Sequence, residues 1–377
     1  SAMTSSAVEA PTDITAQEAE LYDRQIRLWG LDAQKRLRAS RILMVGAPPL
    51  TGEIAKNLVL AGIRSLTLMD DSPLSADDID SSFIYDPSLA TAATTRAEAA
   101  LSALHSLNPM VEVSAKSGQP EQLTADLLAN EDYDAVLAIS QPVEVLQSLG
   151  RLCRSVTYDG EVNSNGAGNN SNSDSSAKQR RQVQFFAADC FGCHGYVFLD
   201  LQRHEFATEL AEVPPKAGQD SSVDPKTAAV PAAGSQPVET HLIKRSADYA
   251  DFESVLRTRW DPAKLGSLRR LSPALYLAFL LFEFQRANNG ARAGPNDVDA
   301  LKTLWRAFAE SQQLPANLLD EAVLSSGLQP PSCPVLAIVG GVAAQEVIKA
   351  VSHKDDPFNN FFVFDGIQSC GSVQTLG

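Results

Sequence analysis

Arg41-Ile42-Leu43-Met44-Val45-Gly46-Ala47-Pro48-Pro49-Leu50-Thr51-Gly52 is the stretch on which the fold turns. An apolar run ends at a glycine, and Ile54, Ala55, Leu58 and Val59 then recur at helical spacing, so the segment reads strand, turn, helix. The same alternation continues downstream. Ser65 to Asp70 is a second apolar run, Arg96 to Leu107 a second helical pattern, Val111 to Ala115 a third strand, and Tyr133 to Ile139 a fourth, followed by a helix through Cys153. Alternating strands and helices predict an α/β fold with a parallel, doubly wound, Rossmann-like sheet. Upstream, Leu21, Ile26, Leu28, Trp29, Leu31 and Leu37 predict a long N-terminal helical arm within residues 12–40, behind a flexible terminus over 1–20.

The Rossmann-like core is expected over 21–206, with two interruptions in the pattern. Residues 161–182 hold five Asn and five Ser with no aromatic residue, a composition too polar to offset its ordering entropy, and predict a disordered insertion before the strand Val183 to Ala188. Residues 207–240, rich in Ala and Pro, predict a flexible linker. A helical subdomain is expected over 241–330, from the patterns Tyr249 to Arg257, Pro273 to Arg286, Val298 to Phe308 and Ala316 to Leu324. Residues 331–377 return to the first sheet through an apolar helix, Val335 to Val351, and a late strand, Phe361 to Phe364.

Charge and cysteine content narrow the function. With 31 Lys+Arg against 46 Asp+Glu, the net charge of −15 argues against binding nucleic acid or anionic lipid. The uncharged apolar runs fall short of the ~18 residues that a membrane span needs, and no secretory signal is recognisable. Five cysteines in 377 residues fit a reducing compartment, and the expected location is nucleus and cytoplasm with the nucleus favoured; Lys178-Gln179-Arg180-Arg181 is a weak basic cluster that reads as a solvated loop, with nuclear import its minor reading.

A nucleotide site on this architecture needs a glycine-rich turn whose backbone N–H groups face phosphate. Gly46 and Gly52 are present, but Pro48 and Pro49 lack N–H donors, so the turn reads as structural. Asp70, about 20 residues on, stands where a ribose would be bound, or is an ordinary strand-end carboxylate. These three positions are vestigial cofactor-binding candidates, with no metal ligands expected. Cys190-Phe191-Gly192-Cys193-His194 has the spacing of haem attachment and of half a zinc site, yet no second Cys pair completes it. Cys153, Cys333 and Cys370 read as free thiols, and His105, His204, His241 and His353 as isolated histidines.

Several blocks together resemble the ubiquitin-like-protein activating enzymes: Tyr22-Asp23-Arg24-Gln25-Ile26-Arg27-Leu28-Trp29-Gly30, Ala39 to Gly46, Glu53 to Gly62, Asn108-Pro109-Met110-Val111, His194-Gly195-Tyr196, Gly340 to Glu346 and Asn359 to Gly366. Within that family the chain is most similar to the smaller, non-cysteine subunits of the heterodimeric SUMO-activating enzymes. Active members carry a glycine-rich loop, an Asn and an Arg-Gln pair after the second strand, and a magnesium-holding Asp after the fourth. This chain has Pro48-Pro49, Asp80-Ser81-Ser82-Phe83-Ile84 and Ser140-Gln141 at those places. The resemblance therefore implies a subunit that is not catalytic alone and binds no cofactor in cis. Its cysteine-bearing partner would hold ATP and magnesium, and SUMO would be the protein activated. It also implies that Arg24 reaches across into the partner's ATP site, a catalytic role in trans; an unassisted reading makes Arg24 a surface residue paired with Asp23. The arm Tyr22 to Gly30, Arg27 within it, and the helix Val335 to Val351 are the expected interface elements. The equivalent subunit for the NEDD-type modifier, a self-sufficient adenylating enzyme or oxidoreductase, and a scaffold with an inert Arg24 are the alternatives.

Overall fold

A computed structural model describes residues 16–88, 94–159, 180–211, 240–260 and 270–377. Among them, the strands are β1 (Arg41–Val45), β2 (Ser65–Met69), β3 (Glu112–Ala115), β4 (Ala135–Ile139), β5 (Thr157–Asp159), β6 (Arg180–Gln182), β7 (Gln184–Phe191), β8 (His194–Asp200), β9 (Arg203–Ala211), β10 (Thr240–Asp248), β11 (Phe361–Asp365) and β12 (Cys370–Gln374). The helices are α1 (Ala16–Leu21), α2 (Asp23–Trp29), α3 (Leu31–Ala39), α4 (Pro49–Ala61), α5 (Ala76–Ser81), α6 (Arg96–Leu107), α7 (Ala125–Asn130), α8 (Val143–Ser155), α9 (Phe252–Leu256), α10 (Pro273–Ala287), α11 (Val298–Ser311), α12 (Glu321–Ser326) and α13 (Cys333–Ser352).

Eight strands form the central sheet in the order β12-β11-β8-β7-β4-β1-β2-β3. Because side chains alternate across a strand, β1 feeds both faces. Ile42 and Met44 enter one core with α3, α4, α6 and α13, and Leu43 and Val45 enter the other with α8 and α10. Three layers result, as expected for a buried parallel sheet.

The sheet is mixed rather than wholly parallel. β7-β4-β1-β2-β3 pair in parallel, whereas β8, β11 and β12 are added antiparallel. The cause is local: β7 and β8 are joined by Gly192-Cys193, with Gly192 at φ +57°, and a two-residue turn can connect only antiparallel neighbours. The late strand does return to the first sheet, as β11 beside β8.

Three further boundaries differ from expectation. The N-terminal arm is three helices and not one, because Gly30 sits at φ +90° between α2 and α3. It is docked: Leu37 is fully buried, and the Tyr22 hydroxyl accepts a hydrogen bond from Asn108 at 2.8 Å. The stretch assigned to a linker from 207 begins as strand, since β9 runs on to Ala211 and pairs with β10, which opens the segment assigned to the helical subdomain. Residues 212–239 lie outside the described residues, as do 160–179 of the expected insertion; Arg180–Gln182 at the end of that insertion pair with β5. The remainder of 241–330 is helical. In it, α10 packs between β8 and β11 on one side and α11 and α12 on the other, which accounts for its near-continuous burial. The 20-residue apolar helix α13 is a core helix, packed against α3, α4, β7 and β8.

Candidate functional site

In a sheet of this kind the natural binding crevice lies beyond the carboxyl ends of the strands where the winding reverses. Here β2 and β3 step away from β1 on one side and β4 and β7 on the other. A cavity of about 470 Å³ opens at that point, lined by Gly46 and Pro48 to Leu50, Met69 to Ser72, Gly118 to Pro120, and Ile139 to Gln141.

The first turn engages most of its own backbone donors within the protein. The Gly46 N–H donates to Met69 O at 2.9 Å, and the Ala47 N–H to Asp70 Oδ2 at 2.7 Å. Pro48 and Pro49 have no N–H to give, so the two donors before them are spent within the protein and the two positions after are blank. The turn is fastened further by Thr51, which donates to Gly46 O at 2.9 Å, and by the Tyr85 hydroxyl, which donates to Ala47 O. Gly46 keeps its positive φ of +92° because a Cβ there would lie 2.5 Å from both Ile139 O and Gln141 Nε2. Gln141 thus folds back over the glycine, its amide donating to Ile139 O at 3.1 Å.

Asp70 stands at the end of β2 as the sequence suggested, with its side chain 8% exposed. Besides Ala47, it accepts from the Ser72 N–H at 2.8 Å, and the Arg96 guanidinium lies 4.0 Å away. Arg96 belongs mainly to Asp78, at 2.9 Å. Burial opposes the Asp78 carboxylate, but hydrogen bonds from Arg96 and Ser75 outweigh it and hold the carboxyl below its ordinary value. On the other side, Ser140 donates to Asp189 at 2.6 Å, and Asp189 pairs with Arg292 at 3.0 Å. Asp189 raises the Arg292 guanidinium further above its usual range, against the effect of burial. No group of three or more His, Cys, Asp or Glu among the described residues is arranged to hold a metal ion. Gly46 and Asp70 are therefore brought together. Gly52 lies one turn into α4, where a Cβ would meet the Ser82 hydroxyl at 2.8 Å, and it serves packing.

Asp78, Arg96, Asp189 and Arg292 were not singled out from the sequence. Asp78 could have been, since Ser75 and Asp78 form a capping box for α5. Arg292 carries no local signal; it reaches the crevice from the segment after α10, where it bonds to Asp189 and to Cys190 O of β7.

Arg24 lies elsewhere. The arm is fixed at the carboxyl end of α4: Gln25 donates to Leu60 O at 3.2 Å, and Tyr22 covers Gly62, which holds φ +80° to end the helix. The glycine turn is at the opposite end of α4, whose 13 residues span about 18 Å. Arg24 is exposed and makes no ion pair among the described residues, because Asp23 is taken by Arg27 at 3.0 Å. Arg24 is therefore kept apart from its own chain's crevice.

Beside the exposed Asp23–Arg27 pair, the surface of the arm also carries apolar side chains. Leu21, Leu28, Leu31 and Leu60 are exposed, Leu28 at 76%. Lys56, further along α4, lies 5.1 Å from the ring centroid of the exposed Phe83. On α13, which packs on α4, Ala337, Ile338 and Gln345 are exposed, and a Cβ on Gly341 would meet nothing within 4 Å. Most of α13 is buried in its own chain, so only this stripe is free to meet another surface. Scattered exposed apolar residues are ordinary; a cluster of this kind marks an interaction face.

The cysteine and histidine motifs resolve into structure. Cys153 and Cys190 are buried, and burial pushes both thiols up, which suits neither nucleophile nor metal ligand. His194 is fully buried, its Nε2 2.8 Å from Ser326 Oγ and its Nδ1 3.5 Å from Asp365; burial lowers its pKa and Asp365 only partly restores it.

Comparison with known proteins identifies the family. The ThiF family pattern matches residues 22–375. SUMO-activating enzyme subunit 1 of Rattus norvegicus is 33% identical, over 97% of this chain and 96% of that protein. The proteins of the same name from Xenopus laevis and Homo sapiens are 34% and 32% identical, over 97% and 98% of each chain. With a conserved-length match from the N-terminal arm to the last strand, this chain belongs to the ThiF family.

Proposed function

We propose that this chain is the non-cysteine subunit of a heterodimeric SUMO-activating enzyme, and that it supports adenylation of the SUMO C-terminal glycine in the partner's site. The names of its relatives favour SUMO over the NEDD-type modifier. In this reading ATP and magnesium belong to the cysteine-bearing partner. The modifier's carboxylate attacks the α-phosphate, an acyl-adenylate forms, and pyrophosphate leaves. This chain contributes the apolar face around α2, α4 and α13, and the Arg24 guanidinium, which offsets charge developing on the phosphates during attack.

The observation that carries the proposal is the position of Arg24: unpaired among the described residues, on an arm that also exposes Leu21, Leu28 and Leu31, and about 18 Å of helix away from its own chain's crevice. An arginine so placed can act only on another molecule. The test is Arg24→Ala in the assembled heterodimer, read as the rate of SUMO-dependent pyrophosphate exchange. Arginines supplied in trans contribute about 10³ to 10⁵ in related phosphoryl-transfer chemistry, and a loss of at least tenfold, with assembly unchanged, is expected. An unchanged rate in an intact heterodimer would leave the chain as a scaffold.

A further inference from the structure

A second cavity, of about 280 Å³, lies between the end of β7, the start of β8 and the helix α10, bounded by the segments 292–295 and 327–331. Arg292 and Pro330 line both it and the crevice at the strand ends. An apolar cavity of about 150 Å³ already holds one benzene ring, so this one has room for a ring with a short substituent. We infer that this second cavity takes a small neutral molecule, an aromatic ring bearing one carbonyl oxygen, with that oxygen on the Tyr196 hydroxyl.

Most of the wall is apolar, from Phe191, Ala278, Leu281, Phe282 and Leu328. Its polar side chains fall into two sets. Asp189 and Arg292 satisfy each other: the carboxylate accepts from the guanidinium on both oxygens, at 3.1 and 3.0 Å, and also from the Ser140 hydroxyl and the Cys190 N–H. With that pair neutral, a charged ligand of either sign would be buried without a counterion of its own. The second set is unpaired. Tyr196 is 3% exposed and Gln285 7%, yet among the described residues neither the Tyr196 hydroxyl nor the Gln285 side-chain N–H groups have a hydrogen-bond partner. Both are held in place. The Gln285 carbonyl oxygen accepts from the Val143 N–H at 3.0 Å, which leaves the N–H end free, and the Tyr196 ring stacks on Phe361 at 5.4 Å and meets Phe282 edge-on at 5.3 Å. Burial pushes the Tyr196 phenol well above its ordinary pKa, so the hydroxyl keeps its proton to donate. A buried donor left without a partner costs free energy, and an acceptor on the ligand removes that cost. Phe191, Phe282 and Tyr196 then set the remainder of the ligand as a ring, which packs offset or edge-on against them.

The experiment is a fluorine NMR titration of the full chain with 4′-fluoroacetophenone, with 1-ethyl-4-fluorobenzene, which has a methylene in place of the carbonyl, and with 4-fluorobenzoate, which adds charge. Saturable binding of the ketone is expected, with both other ligands weaker by about tenfold or more, because one leaves the hydroxyl unpaired and the other buries a lone charge. Tyr196→Phe keeps the ring and should remove most of the preference for the ketone over the hydrocarbon. Leu281→Trp, at a half-buried position on the wall, fills the cavity and should weaken ketone binding by about tenfold or more. The comparison among the three ligands stands even where a variant fails to fold. The inference is overturned if the wild-type chain shows no saturable binding of the ketone, binds the hydrocarbon or the benzoate as tightly, keeps its full preference in Tyr196→Phe, or binds unchanged in Leu281→Trp.

Discussion

Acid should weaken this protein through His204, and the structure sets the size of the effect. His204 is 3% exposed on β9, stacked between Phe206 at 6.0 Å and His353 at 4.9 Å. Among the described residues its Nε2 has no hydrogen-bond partner. Burial, and then His353 beside it, lower its pKa from 6.5 to about 3. For a base with a depressed native pKa, the unfolded chain binds the proton first, so stability is whole above pH 6.5 and is lost as the pH falls towards 3. For one such site, the loss between pH 7.5 and 5.0 is about 2 kcal/mol, from ~1.4 kcal/mol per unit below the unfolded pKa. His204→Phe removes the titrating group, keeps a ring in the stack, and deletes a buried nitrogen that bonds to nothing, so it should cost little at pH 7.5. Urea denaturation of both proteins at pH 7.5 and 5.0 measures the difference. The wild-type chain should lose about 2 kcal/mol more than the variant over that interval. Equal losses would refute the reasoning and place the acid sensitivity on other groups.

Two more outcomes follow from buried groups. Arg154 holds the fully buried Asp200 through bonds of 2.6 and 2.8 Å, so Arg154→Met should cost about 3–5 kcal/mol by leaving a buried carboxyl unpaired, and adding Asp200→Leu should return most of it in the same denaturation assay. In a thiol titration of the native chain, the exposed Cys333 and Cys370 should react promptly and the buried Cys153 and Cys190 only after unfolding; prompt reaction of all five would contradict the packing.

The fold was legible where burial imposes a period. β4 is apolar along its whole length, and β1 and β2 nearly so, because they are covered on both faces, and α4 shows its inward positions at helical spacing. The β9–β10 hairpin was obscured by composition, since the neighbouring Ala and Pro dominate the impression of 207–240. Yet His204 and Phe206 point inward while Arg203 and Glu205 are exposed, the two-residue period of a strand. The antiparallel flank could not be read from residue types, because direction depends on a turn of two residues. Asp70 and Gly46 were legible by spacing. The bond that joins them was not, because its donor is the backbone of Ala47, and alanine at 47 says nothing about where its N–H points.

That bond also shows that the conformation of the turn depends on more than two prolines. Placing glycine at 48 and 49 would restore N–H groups to the turn, but Ala47 would still donate to Asp70, and Tyr85 would still hold the Ala47 carbonyl from behind. Gln141 would still lie against Gly46, and the four aspartates would still face the cavity. Each of these contacts satisfies a polar group that would otherwise be orphaned, so the turn has been rebuilt around its own hydrogen bonds. On the proposed reading, a turn held by its own hydrogen bonds at one end of α4 goes with a role for the exposed guanidinium of Arg24 at the other.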